Sequence, residues 1–238
     1  MKTHLRIAAF FILTMILTLS LAVIQQALGL SAEYLSLPQF GPGLAGAIMM
    51  LAAKKDGVRF SIAPARLSPS RWVIMLLPLL VPVIIAGLML ASGNRFELPD
   101  FQPAAMLLIP GIIIGAVGEE IGWRGYLQNY LRGKNLLIPS YVIVGLLWGL
   151  WHLGIFQYGA LYAGVFSIGT VAYSGIMYYL GEDNPENILP AIFFHSLVNI
   201  GFYLFSALEP TLLLAGLNSG IWFIILLIIK GVRRRGTS

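Results

Sequence analysis

The sequence predicts an all-α protein, a polytopic transmembrane helical bundle of about eight spans. Of its 238 residues 58% are hydrophobic and only 11% charged, and the mean hydropathy is +0.84. Several uncharged runs reach the roughly 20 residues that a helix needs to cross a bilayer. The cations fall between those runs and at the chain ends, where they report topology and contact with anionic lipid. A net charge of +5 would suggest nucleic acid in a soluble protein; with the cations placed this way the partner is the bilayer. Cysteine is absent, which excludes disulfides, zinc fingers and a thiol nucleophile. No internal repeat, linker or low-complexity stretch divides residues 1–238, so the chain reads as a single integral-membrane domain.

The elements follow in order. Lys2 and Arg6 precede an apolar run, Ile7 to Ile24, longer than a usual signal-peptide core and without a clear small-x-small cleavage site, so it reads as an anchored first helix. Pro38 and Pro42 open a short, Gly-rich second span ending at Ala53. Lys54, Lys55, Arg59, Arg66 and Arg71 mark a basic loop with Asp56 as its one acid. Trp72 to Ala91 is the third span, with Pro78 and Pro82 tolerable in lipid. Ser92 to Pro103 is a polar loop carrying Arg95, Glu97 and Asp100. The fourth span starts near Ala104, bends at Pro110 and contains two small-x-x-x-small pairs, Gly111/Gly115 and Gly118/Gly122, which permit close helix approach. Leu136 to Gly181 holds no Lys, Arg, Asp or Glu in 46 residues, room for two spans turning near Gln157-Tyr158-Gly159. An acidic loop, Glu182 to Asn187, leads to the seventh span (Ile188 to Ala207) and the eighth (Thr211 to Ile229), and Lys230, Arg233, Arg234 and Arg235 follow. Alternating eight spans collects the basic segments on one side. The positive-inside rule then places both termini in the cytoplasm and the protein in the cell (inner) membrane.

The chemistry concentrates in Gly118-Glu119-Glu120-Ile121-Gly122-Trp123-Arg124. Two carboxylates and an arginine at membrane depth cost on the order of 3 kcal/mol per charge even on lenient scales, so such residues are functional candidates by default. Glu120 and Arg124, four apart, share one helix face and read as a structural pair. Glu119 is turned away from Arg124. A snorkelling helix-end ion pair accounts for one carboxylate, not two. Two of the three histidines also lie inside spans: His152, in the middle of the fifth, and His195, four residues before Asn199 on one face of the seventh. Either histidine alone is explained equally well by packing. Converging, Glu119, His152, His195 and Asn199 form a set able to activate a water and stabilise an oxyanion. Counting 1.5 Å per residue puts Glu119 roughly 22 Å down its span, level with His195 and short of His152, so Pro139 or a tilt must bring the three together. Hydrolysis also requires a water-filled route, expected to open on the cytoplasmic side.

Glu119-Glu120-x-x-x-Arg124, Trp148-x-x-x-His152 and His195-x-x-x-Asn199 resemble, in order, the three motifs of the CPBP family. These are intramembrane proteases that include type II CAAX prenyl endopeptidases and bacteriocin-processing or immunity (Abi-like) proteins. The resemblance covers about residues 104–205, the expected catalytic core. Trp148 stands where the family usually has Phe and reads as a packing residue; Gly154 stands where relatives often have Pro. The resemblance implies that Glu119 is the general base for water with His152 helping to hold that water, that His195 and Asn199 bind the oxyanion, and that Glu120 with Arg124 supports the first glutamate. It leaves two cofactor states open. Glu119, His152 and His195 would make a His₂Glu zinc site, or the same residues work without metal; no H-E-x-x-H is present to favour zinc. The expected partner is a peptide or membrane-protein substrate, since prenylated C-a-a-X proteins are a eukaryotic modification and this chain reads as bacterial. The alternatives are a non-catalytic immunity or scaffold protein, which would gain by losing buried charge, and a proton-coupled transporter, against which stands the lack of an internal repeat. Oligomeric state is not legible.

Overall fold

Residue polarity along α1 (Thr3–Ala27) is inverted relative to a soluble protein. Its buried positions are Phe10, Thr14, Thr18 and Gln25, whereas Ile12, Ile16, Leu19 and Val23 are each more than half exposed. A helix that turns its polar stripe inward and its aliphatic stripe outward is built for lipid, where burying apolar surface supplies no driving force and polar side chains bond across helices. A computed structural model describes residues 2–93, 108–205 and 210–236, and throughout them the regular elements are helices.

Eight helices occupy the described parts of the predicted intervals: α1, α2 (Gly41–Ala52), α3 (Pro69–Ala91), α4 (Leu108–Glu120), α5 (Ser140–Trp151), α6 (Ala160–Leu180), α7 (Leu189–Phe205) and α8 (Leu212–Gly236). α4 runs on through a π-helical stretch (Ile121–Gln128) and a last turn (Asn129–Leu131). Among the described residues four helices, α1, α3, α6 and α8, are long and apolar enough to cross a membrane, and the chain is an integral membrane protein. Length does not carry the count of about eight. α2 and α5, at 12 residues each, are about 18 Å long at 1.5 Å per residue, against a hydrocarbon core of about 30 Å. The Ser92–Pro103 loop beyond Gly93, the first residues of the fourth span (104–107) and the end of the seventh (206–209) lie outside the described residues.

α6 is the most buried of the long helices and packs between α5 and α8, while α7 lies against α3 and α4, and α2 lies between α1 and α4. α2 and α4 approach at backbone distance. A Cβ on Gly122 would stand 2.2 Å from the Pro42 carbonyl oxygen, and one on Gly43 would stand 2.4 Å from the Gly118 carbonyl oxygen. The Gly118/Gly122 pair thus serves this contact. Pro110 sits in the first described turn of α4, and the helix departs from α geometry later, at Ile121.

Before α2 the chain forms a 3₁₀ turn, Leu37–Phe40, with Pro38 in its first turn. α1 holds that turn in place. The Gln25 amide donates to the carbonyls of Leu30 and Leu35 and accepts from Leu37 N–H, which satisfies a segment that would otherwise expose backbone groups. At the basic end of the bundle the 57–71 segment is strapped to the acidic loop. Ser61 N–H donates to Glu186 O, Ile188 N–H donates to Ser61 O, and the Asn187 amide donates to Ala63 O. Arg71 forms a forked pair with Asp183, which holds the Asp183 carboxyl below the usual carboxylate range. The acidic loop therefore lies at the same end as the basic one, as expected from span alternation.

Gly122→Ala is expected to destabilise the protein by on the order of 1–3 kcal/mol or more through overpacking, read as a lowered thermal midpoint in detergent. Gly164→Ala, whose new methyl meets open space, is expected to leave the midpoint unchanged. Equal midpoints for the two variants would mean that the glycine contact does not hold α2 against α4.

Candidate functional site

Both motif glutamates are buried, Glu119 at 2% and Glu120 at 0% exposure, and each meets a different kind of partner. On Glu120, Arg124 Nη1 donates to Oε1 at 2.7 Å, the predicted pair four residues apart. The same oxygen lies 2.8 Å from His195 Nδ1. A carboxylate oxygen only accepts, so Nδ1 carries the proton. Glu120 thus orients His195 on α7, and its support reaches the other motif through that ring.

Glu119 takes neutral donors. Gln39 Nε2 donates to its Oε1 at 2.9 Å, and Trp148 Nε1 donates to its Oε2 at 2.9 Å. His195 Nε2 stands 3.9 Å from Oε2, too far for a hydrogen bond and a separation that one shared water spans. The expectation that Trp148 only packs is corrected: its indole N–H is one of the two donors holding Glu119. It packs as well, with the His195 ring edge-on at 5.0 Å and the Arg124 guanidinium 4.5 Å over its face, a cation–π arrangement.

His152 does not lie in the middle of a span. α5 ends at Trp151, and His152 is the residue that ends it, with φ −75° and ψ 69°. The cause is local. His152 N–H bonds the Gly149 carbonyl, three residues back, in the tightening common at helix ends. That releases the Trp148 carbonyl, which His152 Nδ1 takes at 2.8 Å. A carbonyl only accepts, so Nδ1 again carries the proton and Nε2 keeps its lone pair. 3₁₀ turns follow to Tyr158, and Gly159, at φ +97°, makes the predicted turn into α6. His152 borders the cluster through Trp148, 5.8 Å between ring centroids. Asn199 stands one turn beyond His195 on α7, half-buried, outside the hydrogen bonds that join Glu119, Glu120, Arg124, Gln39, Trp148 and His195.

Glu119, His152 and His195 do not come together as metal ligands. Among the described residues no three His, Asp or Glu side chains converge as a metal requires, and both Glu119 oxygens are aimed at N–H donors instead. The geometry gives the zinc alternative no support.

Residues 101–201 match the family model described as "Type II CAAX prenyl endopeptidase Rce1-like". The chain is 30% identical to lysostaphin resistance protein A of Staphylococcus haemolyticus, over 94% of this chain and 66% of that protein. It is 27% identical to CAAX prenyl protease 2 of Methanococcus maripaludis, over 56% of this chain and 51% of that one. The chain belongs to the CPBP family. It spans between half and two thirds of the length of these curated relatives, and 54% of the lysostaphin resistance protein A of Staphylococcus epidermidis, with which it is 28% identical.

The CPBP motifs account for Glu119, Glu120, Arg124, His152, His195 and Asn199 as positions. Gln39 escaped sequence reading altogether. Its signal was a lone amide in an apolar stretch between Pro38 and Pro42, indistinguishable in one dimension from the amide of Gln25, which serves the loop.

Arg124→Ala removes one partner of a fully buried carboxylate, a change that typically costs ~3–5 kcal/mol. The variant is expected to lose yield and thermal midpoint in detergent, and a double variant Glu120→Gln/Arg124→Met to recover part of that loss. A wild-type midpoint for Arg124→Ala would remove the structural role of the pair.

Proposed function

We propose that the chain is an intramembrane endopeptidase that hydrolyses a peptide bond in a membrane-associated or peptide substrate. The observation that carries this reading is the 3.9 Å gap between Glu119 Oε2 and His195 Nε2, flanked by groups that fix both sides. A water in reach of Glu119 gives up a proton to the carboxylate while its oxygen attacks the scissile carbonyl carbon. Negative charge passes to the carbonyl oxygen, where His195 Nε2–H and the Asn199 amide donate to it. His195 donates here as an imidazolium that enters the step already carrying both ring protons and keeps them through collapse, with Nδ1–H held by Glu120. Collapse of the tetrahedral species breaks the C–N bond, and Glu119 returns its proton to the leaving amine. His152, with Nδ1–H tied to the Trp148 carbonyl, presents the Nε2 lone pair to the water. Every step uses protein groups, and the reading is metal-free. Supporting it over a carrier or a scaffold are the family match and the retention of buried acids beside two histidines, an arrangement a non-catalytic bundle would be more stable without.

The substrate class follows the family description and the membrane depth of the site: a peptide or membrane protein, with prenylated proteins as the narrower possibility that relatives named CAAX protease raise. Glu119→Gln keeps the shape and removes the base. It is expected to abolish cleavage of a quenched-fluorescence peptide library, assayed with chelator present, while leaving the thermal midpoint near wild type. Asn199→Ala is expected to slow turnover by on the order of 10²–10³. Wild-type turnover by folded Glu119→Gln would defeat the mechanism; wild-type turnover by Asn199→Ala would remove only its oxyanion role.

The reading includes an orientation in the cell membrane, with the basic end in the cytoplasm and both termini there, because Lys and Arg gather at 54–71, 132–134 and 230–235. Reporters inserted at Lys134 and at Gly93 are expected to score cytoplasmic and outer respectively. The reverse pattern would overturn the orientation, and a shared side would overturn the span count between them.

A further inference from the structure

We propose that Gln39 and Trp148 are positioning residues for the reaction, a two-sided clamp that fixes the plane of the Glu119 carboxylate; this rests on Glu119 being the base. The torsion that turns a glutamate carboxylate is broad and poorly restrained, so a buried general base without donors would sample many orientations. Here each oxygen accepts one N–H at 2.9 Å, from the turn before α2 on one side and from α5 on the other. With one donor on each oxygen, each keeps a further accepting site, and that of Oε2 faces the gap to His195.

The donors are themselves fixed. Gln39 fits because Gly115, four residues before Glu119, has no side chain; a Cβ there would stand 2.2 Å from the Gln39 amide oxygen. Its turn is tied to α1 through Gln25 and through the Thr18 hydroxyl, which donates to Pro38 O at 3.4 Å. Trp148 touches Glu119, Arg124, His195 and His152 at once: its N–H holds Glu119, its face carries Arg124, the His195 ring meets it edge-on, and its carbonyl sets the His152 tautomer. The phenylalanine usual at this position would keep an aromatic ring without the donor. This chain therefore holds its base by a bond that Phe could not make.

The variants that test this are Trp148→Phe, which removes the N–H and keeps an aromatic ring, and Gln39→Met, which removes the N–H and keeps side-chain length. A misplacement of about 1 Å can cost on the order of a hundredfold in rate. Each variant is therefore expected to lower kcat by about tenfold to a hundredfold against the quenched peptide library, with KM within about twofold. Glu119→Asp withdraws the carboxylate from both donors, so adding Trp148→Phe to it is expected to cost nothing further. A structural role would instead lower kcat by the same factor in both backgrounds and would move the thermal midpoint. If Trp148→Phe folds poorly, Gln39→Met carries the same comparison. Wild-type kcat in both single variants, or equal losses with and without Glu119→Asp, would overturn the clamp while loss of turnover in Glu119→Gln leaves the base assignment standing. Wild-type turnover in Glu119→Gln would instead overturn the base assignment and the clamp with it.

Discussion

Two carboxylates on adjacent residues, both out of water, set the constraint that the rest of the bundle answers. Each charge at membrane depth costs about 2.5–3.5 kcal/mol on insertion scales, and adjacent acids also repel each other. The chain resolves the two differently. Glu120 meets formal charge, Arg124 at 2.7 Å, and the same oxygen also holds His195. Glu119 meets neutral N–H donors only. Hydrogen bonds to charged groups contribute about 1.5–3 kcal/mol each, so two of them offset an insertion cost of this size without placing a cation on the carboxylate. That difference in partners is what the proposed division of roles between the two carboxylates rests on.

Backbone irregularity gathers at the same place. α4 changes from α to π hydrogen bonding directly after Glu120, and α5 stops at Trp151 so that His152 follows it. Departures of this kind are common at functional sites. In the second case the physical exchange is visible: a backbone donor moves from one carbonyl to the next, and an imidazole takes the carbonyl released. The stop also removes the depth mismatch. Counting residues along an unbroken span places His152 deeper than its partners and calls for a tilt or a bend at Pro139. A helix of only 12 residues, bent away at His152, brings the ring to the edge of the cluster.

The sequence carried the helical class, the approximate intervals of the elements and the six motif positions, because those depend on composition and on spacing along one helix. The Glu120–Arg124 pair was legible for the same reason: four residues is a local distance. What stayed hidden depends on which helix faces which. Glu119 could be read as lacking a partner in its own helix, and that was correct, but Gln39 lies 80 positions away with no periodic signal pointing at it. Trp148 was visible and misread, since an aromatic four residues before a histidine looks the same whether its ring packs or its N–H donates. The π stretch was hidden too: Ile121 to Gln128 has the composition of any Gly-containing helix. Length misled in the other direction, since apolar runs long enough for spans contain helices of 12 residues.

The family match covers 101–201, and every group proposed to touch substrate or water lies within it. One donor to the base does not. Gln39 comes from the turn before α2, and that turn is held by α1, so the N-terminal pair of helices reaches the Glu119 carboxylate through a single amide. The glycine contacts place it there. Gly122 and Gly43 let α2 lie against α4 at backbone distance, and Gly115 leaves the slot that the amide fills. Restoring a side chain at Gly115 would act on Glu119 without touching it, by displacing Gln39. The matched region therefore supplies the groups proposed to react, while the orientation of the proposed base depends on helices outside it.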